Sequence, residues 1–379
     1  MKKTMLAFAV ATLFQTTAHA QWVISANDGK VRLDNGVTKT VPNNPDSVAL
    51  IDLGAKPPKL VVEIEAPASI VGPPQSAAIA PDRSIALVTA NMKLDPADPG
   101  KQIPDNRMSV IDLKASPPAV IATVETGKGP AGVAIGPKGN IALVANREEG
   151  TVSVFAIDGK TVTALGKVDF GNPKSGPSGI VITPDGLTAL VTRDGDNRVS
   201  VLAIDRDKVE YAKRDMFPGQ RPYGIDIPKK GDVAVVANIG GGQGDADTIS
   251  LIDVTAKPMR VIDTVSVGQT PEGIAISPDG KWVAVTVMNG SNKPIASPFY
   301  NALGLVKLYK VAGRRLVFAS QAESGVWTQG VVFSADSRTL LVQNKEQKEL
   351  QVLANRNGKL VDTKQRIALR NGPAGLGVR

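Results

Sequence analysis

The sequence contains no cysteine and only one histidine, His19. The histidine lies within the first twenty residues, a segment that we expect to be removed. The remaining chain then lacks both residue types, which excludes Ser-His-Asp and Cys-His catalysis, zinc sites built from Cys and His, and haem ligated by His. Disulfide bonds are excluded as well, so stability has to come from a buried core.

Residues 1–20 have the features of a secretory signal peptide. Lys2 and Lys3 precede an apolar segment, Met5 to Phe14, which is followed by Ala18-His19-Ala20. The small residues at the end of this segment predict cleavage after Ala20 and export of a protein that is periplasmic or secreted. The apolar segment is too short for a permanent membrane helix, and no later stretch approaches the required length, so no membrane span is expected.

Charge and aromatic content also exclude some partners. The net charge is +8, aromatic residues make up 4% of the chain, and loss of Lys2 and Lys3 lowers the net charge to +6. No block of lysine and arginine is present. We therefore interpret the charge as favouring solubility, and no nucleic-acid partner is predicted.

The chain does contain a repeat. Versions of QTPEGIAISPDG, Gln269 to Gly280, return along the sequence, and the separations between successive copies are 56, 47, 45, 49, 57 and 45 residues. The copies align on Pro74, Pro130, Pro177, Pro222, Pro271, Thr328 and Pro373. Each copy predicts a short strand, a tight turn and a second apolar strand, and two further strands follow. A period in the forties with four strands per unit is typical of β-propeller blades.

The ends of the chain predict how the ring closes. The seventh copy stops at Arg379, just after its first strand, Gly375 to Val378. Near the beginning, Trp22 to Ala26, Ser47 to Asp52 and Leu60 to Glu65 have the patterns of second, third and fourth strands. The predicted fold is all-β: one domain over residues 21–379, a seven-bladed β-propeller of four-stranded antiparallel blades, closed by the C-terminal strand joining the N-terminal strands.

The repeated motifs also resemble a known family. In order, the motifs are GxxPxGIAIxPDG, a valine-rich strand ending in Asn, TVSVID and VxxTVxVG. This series resembles the YVTN-type seven-bladed β-propellers, which are relatives of the propeller lactonases. The resemblance covers essentially all of the mature chain. It implies the propeller fold, and it allows either a lactonase-like activity or a binding role.

Insertions point to one end of the central channel. Residues 91–107 and 288–304, and the shorter segment 238–247, lengthen the connection between second and third strands. Strand order places this connection on the same rim as the links between blades, so both long insertions are expected to border one mouth. Loops on a rigid scaffold commonly carry function, and this rim is the candidate site.

Side chains near this mouth form the candidate ligand site. The expected ring is polar and partly cationic, with Trp327 as an aromatic platform, and it suits a small anionic or sugar-like ligand. Its members are Arg221, Tyr223, Glu272, Trp327, Gln329, Asn146, Arg193, Asn238 and Asn344. The alternative is that the asparagines are turn residues and the charges serve solvation.

Two acidic segments raise the question of calcium. Asp194 and Asp196 flank a glycine, and Asp245 and Asp247 flank an alanine. Clustered carboxylates attract Ca²⁺, but neither segment has the complete loop with a distal Glu. The favoured interpretation is a tight turn and a flexible loop, so no cofactor is predicted and calcium stays the alternative. The acidic residues that end the third strands, among them Asp52, Asp112 and Asp253, are interpreted as turn caps.

Three functions remain open. The leading hypothesis is a non-catalytic exported propeller that binds a small molecule or a protein partner at the rim. The first alternative, allowed by the family resemblance, is a lactonase-like hydrolase with Glu272 as general base and Arg221 or Arg193 stabilising the oxyanion. The second alternative is an accessory subunit of a periplasmic oxidoreductase.

Overall fold

The computed structural model describes residues 21–229 and 231–379. The predicted signal peptide, residues 1–20, lies outside the described residues. Seven four-stranded antiparallel sheets and a separate two-stranded hairpin make up the described part of the chain. The predicted seven-bladed propeller is therefore confirmed.

Six blades are continuous in sequence, and each begins with the strand that lines the channel. Blade 1 contains β6 (Ala77–Ile79), β7 (Ile85–Leu94), β8 (Gln102–Asp112) and β9 (Ala119–Glu125); blade 2, β10 (Pro130–Ile135), β11 (Ile141–Asn146), β12 (Thr151–Asp158) and β13 (Thr161–Asp169); blade 3, β14 (Pro177–Ile182), β15 (Thr188–Arg193), β16 (Arg198–Asp205) and β17 (Lys208–Met216). Blade 4 contains β18 (Pro222–Asp226), β19 (Val233–Asn238), β20 (Asp247–Asp253) and β21 (Arg260–Gly268); blade 5, β22 (Pro271–Ile276), β23 (Trp282–Val287), β24 (Leu305–Ala312) and β25 (Arg315–Glu323); blade 6, β26 (Thr328–Phe333), β27 (Thr339–Asn344), β28 (Glu349–Arg356) and β29 (Lys359–Ala368).

Blade 7 closes the ring with strands from both ends of the chain. Its order is β30 (Gly372–Val378), β1 (Trp22–Asp28), β4 (Ser47–Asp52) and β5 (Lys59–Glu65). Trp22 N donates to Arg379 O at 3.1 Å, and Arg379 N donates to Trp22 O at 2.9 Å. The predicted closure is confirmed, and no channel-lining strand of the seven blades is left without its neighbours on either side.

The core is divided among the seven interfaces between neighbouring blades. Each interface holds one cluster of buried aliphatic side chains, including the interface between blades 7 and 1 where the ring closes. Second strands such as β11 and β19 are buried along their whole length. The outermost strands, such as β9, are largely exposed. Burial between blades is therefore the main source of stability for a chain without disulfides.

The glycine of the repeated Pro-x-Gly motif is required by a close approach between blades. A Cβ on Gly224 would lie 2.3 Å from Glu272 O, and one on Gly273 would lie 2.3 Å from Gln329 O. Any larger residue would push neighbouring first strands apart.

The later turn Pro278-Asp279-Gly280 has the predicted geometry, because Gly280 has a φ of +71° and its N–H donates to Ser277 O at 2.8 Å.

The predicted caps at the ends of third strands are present in three blades. Asp52 accepts hydrogen bonds from Gly54 N and Ala55 N, Asp112 accepts them from Lys114 N and Ala115 N, and Asp253 accepts them from Thr255 N and Ala256 N. These carboxylates thus hold the turns between third and fourth strands.

Over the two described ranges, no helical segment has the length and apolar character that crossing a membrane requires.

Candidate functional site

The insertions meet above one end of the channel, which we call the rim mouth. Besides the segments that the sequence analysis identified, residues 29–46 form an insertion in blade 7 that it missed; it contains the hairpin β2 (Val31–Asp34) and β3 (Val37–Thr40). Ile295 N donates to Asn35 Oδ1 at 2.8 Å, and Lys293 Nζ donates to Gly242 O at 2.8 Å. The insertions of blades 7, 5 and 4 therefore touch one another along the rim.

The long insertion of blade 1 has a different form. The sequence analysis treated residues 91–107 as a connection, but β7 and β8 continue into it and pair as far as Leu94 and Gln102. The Asn91 side chain donates to Gly72 O at 2.9 Å, in the link that precedes blade 1. This segment is thus mainly an extended hairpin on the same rim.

The position directly after the second strand lies on the rim side of blades 2 to 6. In blades 2 to 6 its N–H donates to a carbonyl of the preceding link, which fixes the backbone in the same way each time. The residues at this position are Arg147, Asp194, Ile239, Met288 and Lys345. The candidates taken from the sequence lie one residue earlier. Because side chains alternate along a strand, that shift of one residue turns them away from the mouth.

Asp194 holds two arginines at the centre of the mouth. Arg147 Nη2 lies 2.7 Å from Asp194 Oδ2, and Arg221 Nη2 lies 3.3 Å from the same oxygen. Arg147 also donates to Ser178 Oγ, and its guanidinium lies 5.6 Å from the centre of the Tyr223 ring. The Asp194 side chain is almost completely buried, whereas both arginines are partly exposed. The two guanidinium groups are thus fixed in place and still reach solvent, as an anion-binding pair must.

Glu272 is the acidic side chain that faces these arginines. Burial raises the pKa of its carboxyl group to about 8, against the opposing effects of the Gln329 amide and of Arg147 and Arg221. Although part of the residue is exposed, Glu272 Oε2 is buried and has no hydrogen-bond partner among the described residues. Burial also raises the pKa of Tyr223, so its hydroxyl stays protonated.

The Gln329 amide is also unsatisfied. The residue is fully buried and close enough to the Glu272 carboxyl group to lower its pKa, but neither its Oε1 nor its Nε2 makes a hydrogen bond of ordinary geometry among the described residues. Its backbone is fixed, because Thr286 Oγ1 donates to Gln329 O, just as Thr192 Oγ1 donates to Tyr223 O at 2.6 Å. Buried polar atoms are normally hydrogen-bonded, so this group of orphaned atoms is suited to receiving a polar ligand.

Gln75 closes the channel below this site. It comes from blade 1 and reaches across to blade 4, where its Nε2 donates to Ile225 O and its Oε1 accepts from Ile225 N at 3.1 Å. A Cβ on Gly179 would lie 2.6 Å from Gln75 Oε1, so the glycine leaves room for this crossing. The Gln75 side chain therefore crosses the channel below the rim mouth.

Three predicted ligand residues, Asn146, Asn238 and Asn344, lie inside the blades. All three are buried at the ends of second strands. Asn146 accepts from Gly127 N and donates to Thr151 and Ser153, and Asn344 likewise accepts from Gly325 N and donates to Glu349. Asn238 only donates, to Pro218 O, Thr248 and Ser250. This corrects their assignment to the ligand site. It also corrects the interpretation as left-handed turn residues, since each is the last residue of a strand and none has a positive φ.

Arg193 and Trp327 require a similar correction. Arg193 is buried beside Asp196, with its guanidinium 4.4 Å from the centre of the Phe170 ring, so it does not face the mouth as an oxyanion donor would. Trp327 is only 6% exposed, and the Lys345 Nζ lies 5.7 Å from the centre of its ring. The indole is therefore not an open platform for stacking.

Three of the four aspartates considered for calcium are already engaged by other groups of the protein. Asp194 contacts Arg147 and Arg221, Asp196 contacts Arg193, and Asp247 accepts from Thr270 N at 2.8 Å. Burial and the neighbouring Asp245 raise the pKa of Asp247. Within the two described ranges, no three metal-ligating side chains of His, Cys, Asp or Glu come together.

Comparison with known proteins gives the same architecture. The family model "Lactonase, 7-bladed beta-propeller" matches residues 107–254, whereas no curated protein matches the chain. A putative 6-phosphogluconolactonase from Bacteroides fragilis is 16% identical, with a TM-score of 0.72 and coverage of 96% of this chain and 99% of the other. A periplasmic gluconolactonase from Pseudomonas aeruginosa is 16% identical, with a TM-score of 0.69 and coverage of 95% and 99%.

A further solved structure shares the architecture over a smaller part of the chain. Hydrazine synthase from Kuenenia stuttgartiensis is 19% identical, with a TM-score of 0.62 over 81% of this chain and 90% of that one. At such identities the likeness concerns the fold. The solved structures, and the family match over residues 107–254, agree with the seven-bladed β-propeller that this chain forms.

Proposed function

We propose that the protein is a lactonase-like hydrolase that opens a small lactone ring at the rim mouth. The observation that carries the proposal is the Glu272 carboxyl group, buried with a free Oε2 beside two arginines that Asp194 fixes. The match to the lactonase propeller family and the gluconolactonase names of two structural neighbours support this function over a purely binding role.

Glu272 serves as the general base in this proposal. Its ionised carboxylate accepts a proton from a water molecule while the water oxygen bonds to the lactone carbonyl carbon. The tetrahedral intermediate then expels the ring oxygen, and that oxygen takes the proton back from Glu272. The lactone and one water thus become one hydroxy acid, and the carboxylate is regenerated.

Arg147 and Arg221 supply the positive charge that the reaction needs. Negative charge develops on the carbonyl oxygen during attack, and fixed guanidinium groups stabilise it without reorganising. Asp194 acts as a positioning residue, because it contacts both arginines through one oxygen. The Gln329 amide, with its unsatisfied donor and acceptor, is placed to hydrogen-bond the substrate.

This chemistry needs neither histidine nor cysteine. The absence of both residue types from the mature chain is compatible with a binding function, but it does not exclude hydrolysis. A carboxylate with a pKa of about 8, such as that of Glu272, is an efficient general base near that pH. The accessory-subunit hypothesis has no specific residue in its favour. The proposal also includes export of the protein, a single domain over residues 21–379 and activity without a cofactor.

A lactone panel tests the proposal directly. The purified protein is mixed with glucono-δ-lactone, δ-valerolactone and γ-butyrolactone, and acid release is followed by pH-stat titration with calcium or with EDTA. We expect hydrolysis above the uncatalysed rate for at least one lactone, lost in Glu272→Gln and retained in Glu65→Gln, which alters an exposed carboxylate at the end of β5. Binding without turnover, for every lactone in both conditions, would favour the non-catalytic alternative.

A further inference from the structure

Beyond Gln75, the channel opens into a second cavity that ends at the opposite mouth. We call this cavity the far chamber; it has a volume of about 260 Å³. Its walls are mostly the aliphatic ends of the seven first strands, and the polar side chains among its described lining residues are Gln75, Asp226 and Arg379. The chamber thus combines mostly apolar side chains with exposed polar backbone groups, one acidic side chain and one basic side chain.

Asp226 is exceptional within its layer of the channel. The corresponding position in the other six blades holds a small or aliphatic residue, namely Ala78, Ala134, Val181, Ala275, Val332 or Gly377, and all of them line the chamber. A carboxyl group at only one of seven equivalent positions is not required by the repeat. A specific role in blade 4 is therefore the simpler explanation.

Part of that role is structural. Asp226 Oδ2 accepts from Ile276 N of blade 5 at 2.8 Å, and Oδ1 accepts from Ile227 N at 2.8 Å. Each carboxylate oxygen can take a second hydrogen bond, so both retain capacity for a ligand. Desolvation raises the pKa of Asp226 to about 7, against the effect of these two donors.

The outer end of the chamber is cationic. Arg379 lines the chamber, and Lys229 and Arg83 lie close enough to interact with it electrostatically. Burial lowers the pKa of Lys229, and Arg379 and Arg83 lower it further. Burial and Arg83 likewise lower the pKa of Arg379. Positive groups that destabilise one another in this way favour an anion between them.

We propose that the far chamber is a second binding site, for a small carboxylic acid with an aliphatic body and its acid group against Arg379. The body replaces water along the aliphatic walls, which is favourable. The carboxylate pairs with a guanidinium, the cation that binds it best. Because Gln75 crosses the channel between Arg379 and the rim residues, we treat this site as distinct from the proposed lactone site.

Asp226 makes binding depend on pH. The other blades present uncharged residues at its level, and the charged side chains at the outer end include, among the described residues, Arg379, Lys229 and Arg83. Below its pKa of about 7, Asp226 is neutral and does not repel a carboxylate bound in the same chamber. Above that pH it is ionised and repels the ligand, so affinity falls as the pH rises through about 7.

Isothermal titration calorimetry with hexanoate tests this site in the full-length mature protein. We expect one hexanoate per chain, bound several-fold more tightly at about pH 6 than at about pH 8. Arg379→Gln should weaken binding roughly tenfold at both pH values. Asp226→Asn, which keeps an acceptor oxygen but cannot ionise, should remove the pH dependence, whereas the exposed Asp207→Asn should not.

Comparison ligands and a rim variant separate this site from the lactone site. Hexanol and hexylamine should bind much more weakly than hexanoate, and Arg221→Gln at the rim mouth should leave hexanoate binding unchanged. Equal affinity for the three ligands, loss of binding in Arg221→Gln, or no binding at either pH would overturn the proposal. None of these measurements depends on lactone hydrolysis, so the two proposals can fail separately.

Discussion

Glu272 is the residue on which the proposed hydrolysis depends most. With a pKa of about 8, its carboxyl group is mainly protonated at neutral pH. As general base it is active only when ionised, so kcat/KM should rise with pH through about 8 and level off above it. Glu272→Gln should lower kcat by roughly 10²- to 10⁴-fold. Initial rates from pH 6 to pH 10, corrected for spontaneous lactone hydrolysis, measure both effects; a rate that falls through pH 8 would contradict the role of base.

Asp194 should act through the two arginines that it contacts. Asp194→Asn removes the charge that both guanidinium groups share, so kcat should fall by about tenfold or more while KM changes little. Asp196→Asn is the matched control, because Asp196 contacts the buried Arg193 outside the mouth. Steady-state kinetics and thermal unfolding are measured for both variants. Equal losses in the two variants would mean that Asp194 has only a structural role.

At the residue scale, the sequence predicted the site only in part. Arg221, Tyr223, Glu272 and Gln329 were predicted because they flank the proline of the repeat, and the structure brings them together with Arg147. Arg147 was not predicted, because the prediction used the last residue of each second strand and Arg147 is the residue after it. The alternation of side chains between Asn146 and its neighbour was the signal that could have found it.

The second strand and the link before it form the element that holds each blade to the rim. In blade 2, Asn146 accepts from Gly127 N at 3.1 Å and donates to Thr151 and Ser153 at 2.9 Å. Asn146→Ala would leave these buried groups without partners, so the free energy of unfolding should fall by about 1–3 kcal/mol. Chemical denaturation measures this loss, with the exposed Asn140→Ala as control. A loss no larger than that of the control would show that these contacts contribute little.

The elements between second and third strands were harder to predict than the strands themselves. Their lengths follow from the period of the repeat, which is why residues 91–107 and 288–304 were found. Their conformation depends on contacts between blades that are far apart in sequence, such as Asn35 with Ile295. The hairpin of β2 and β3 was overlooked because blade 7 is divided between the two ends of the chain and its period cannot be counted.

At the scale of the whole molecule, the repeat determines the architecture. Seven copies with a nearly constant period, the last of them incomplete, allow a closed ring with strands supplied by both chain ends, and the described structure has this arrangement. The far chamber could not be predicted in the same way. It depends on Gln75 crossing from blade 1 to blade 4, a contact between residues 150 positions apart.

Ring closure depends on a contact that the chain does not enforce covalently. The first strands of blades 1 to 6 follow one another along the chain, but β30 reaches β6 only through folding. A Cβ on Gly377 would lie 2.4 Å from Ala77 O of β6, so no side chain fits there without moving the backbone. Gly377→Ala should therefore lower the free energy of unfolding by about 1–3 kcal/mol. Gly241→Ala is the control, because its added Cβ would meet only ordinary contacts at 3.7 Å and beyond. Denaturant titrations of both variants measure the difference, and equal stabilities would mean that β30 does not pack closely against β6 in solution.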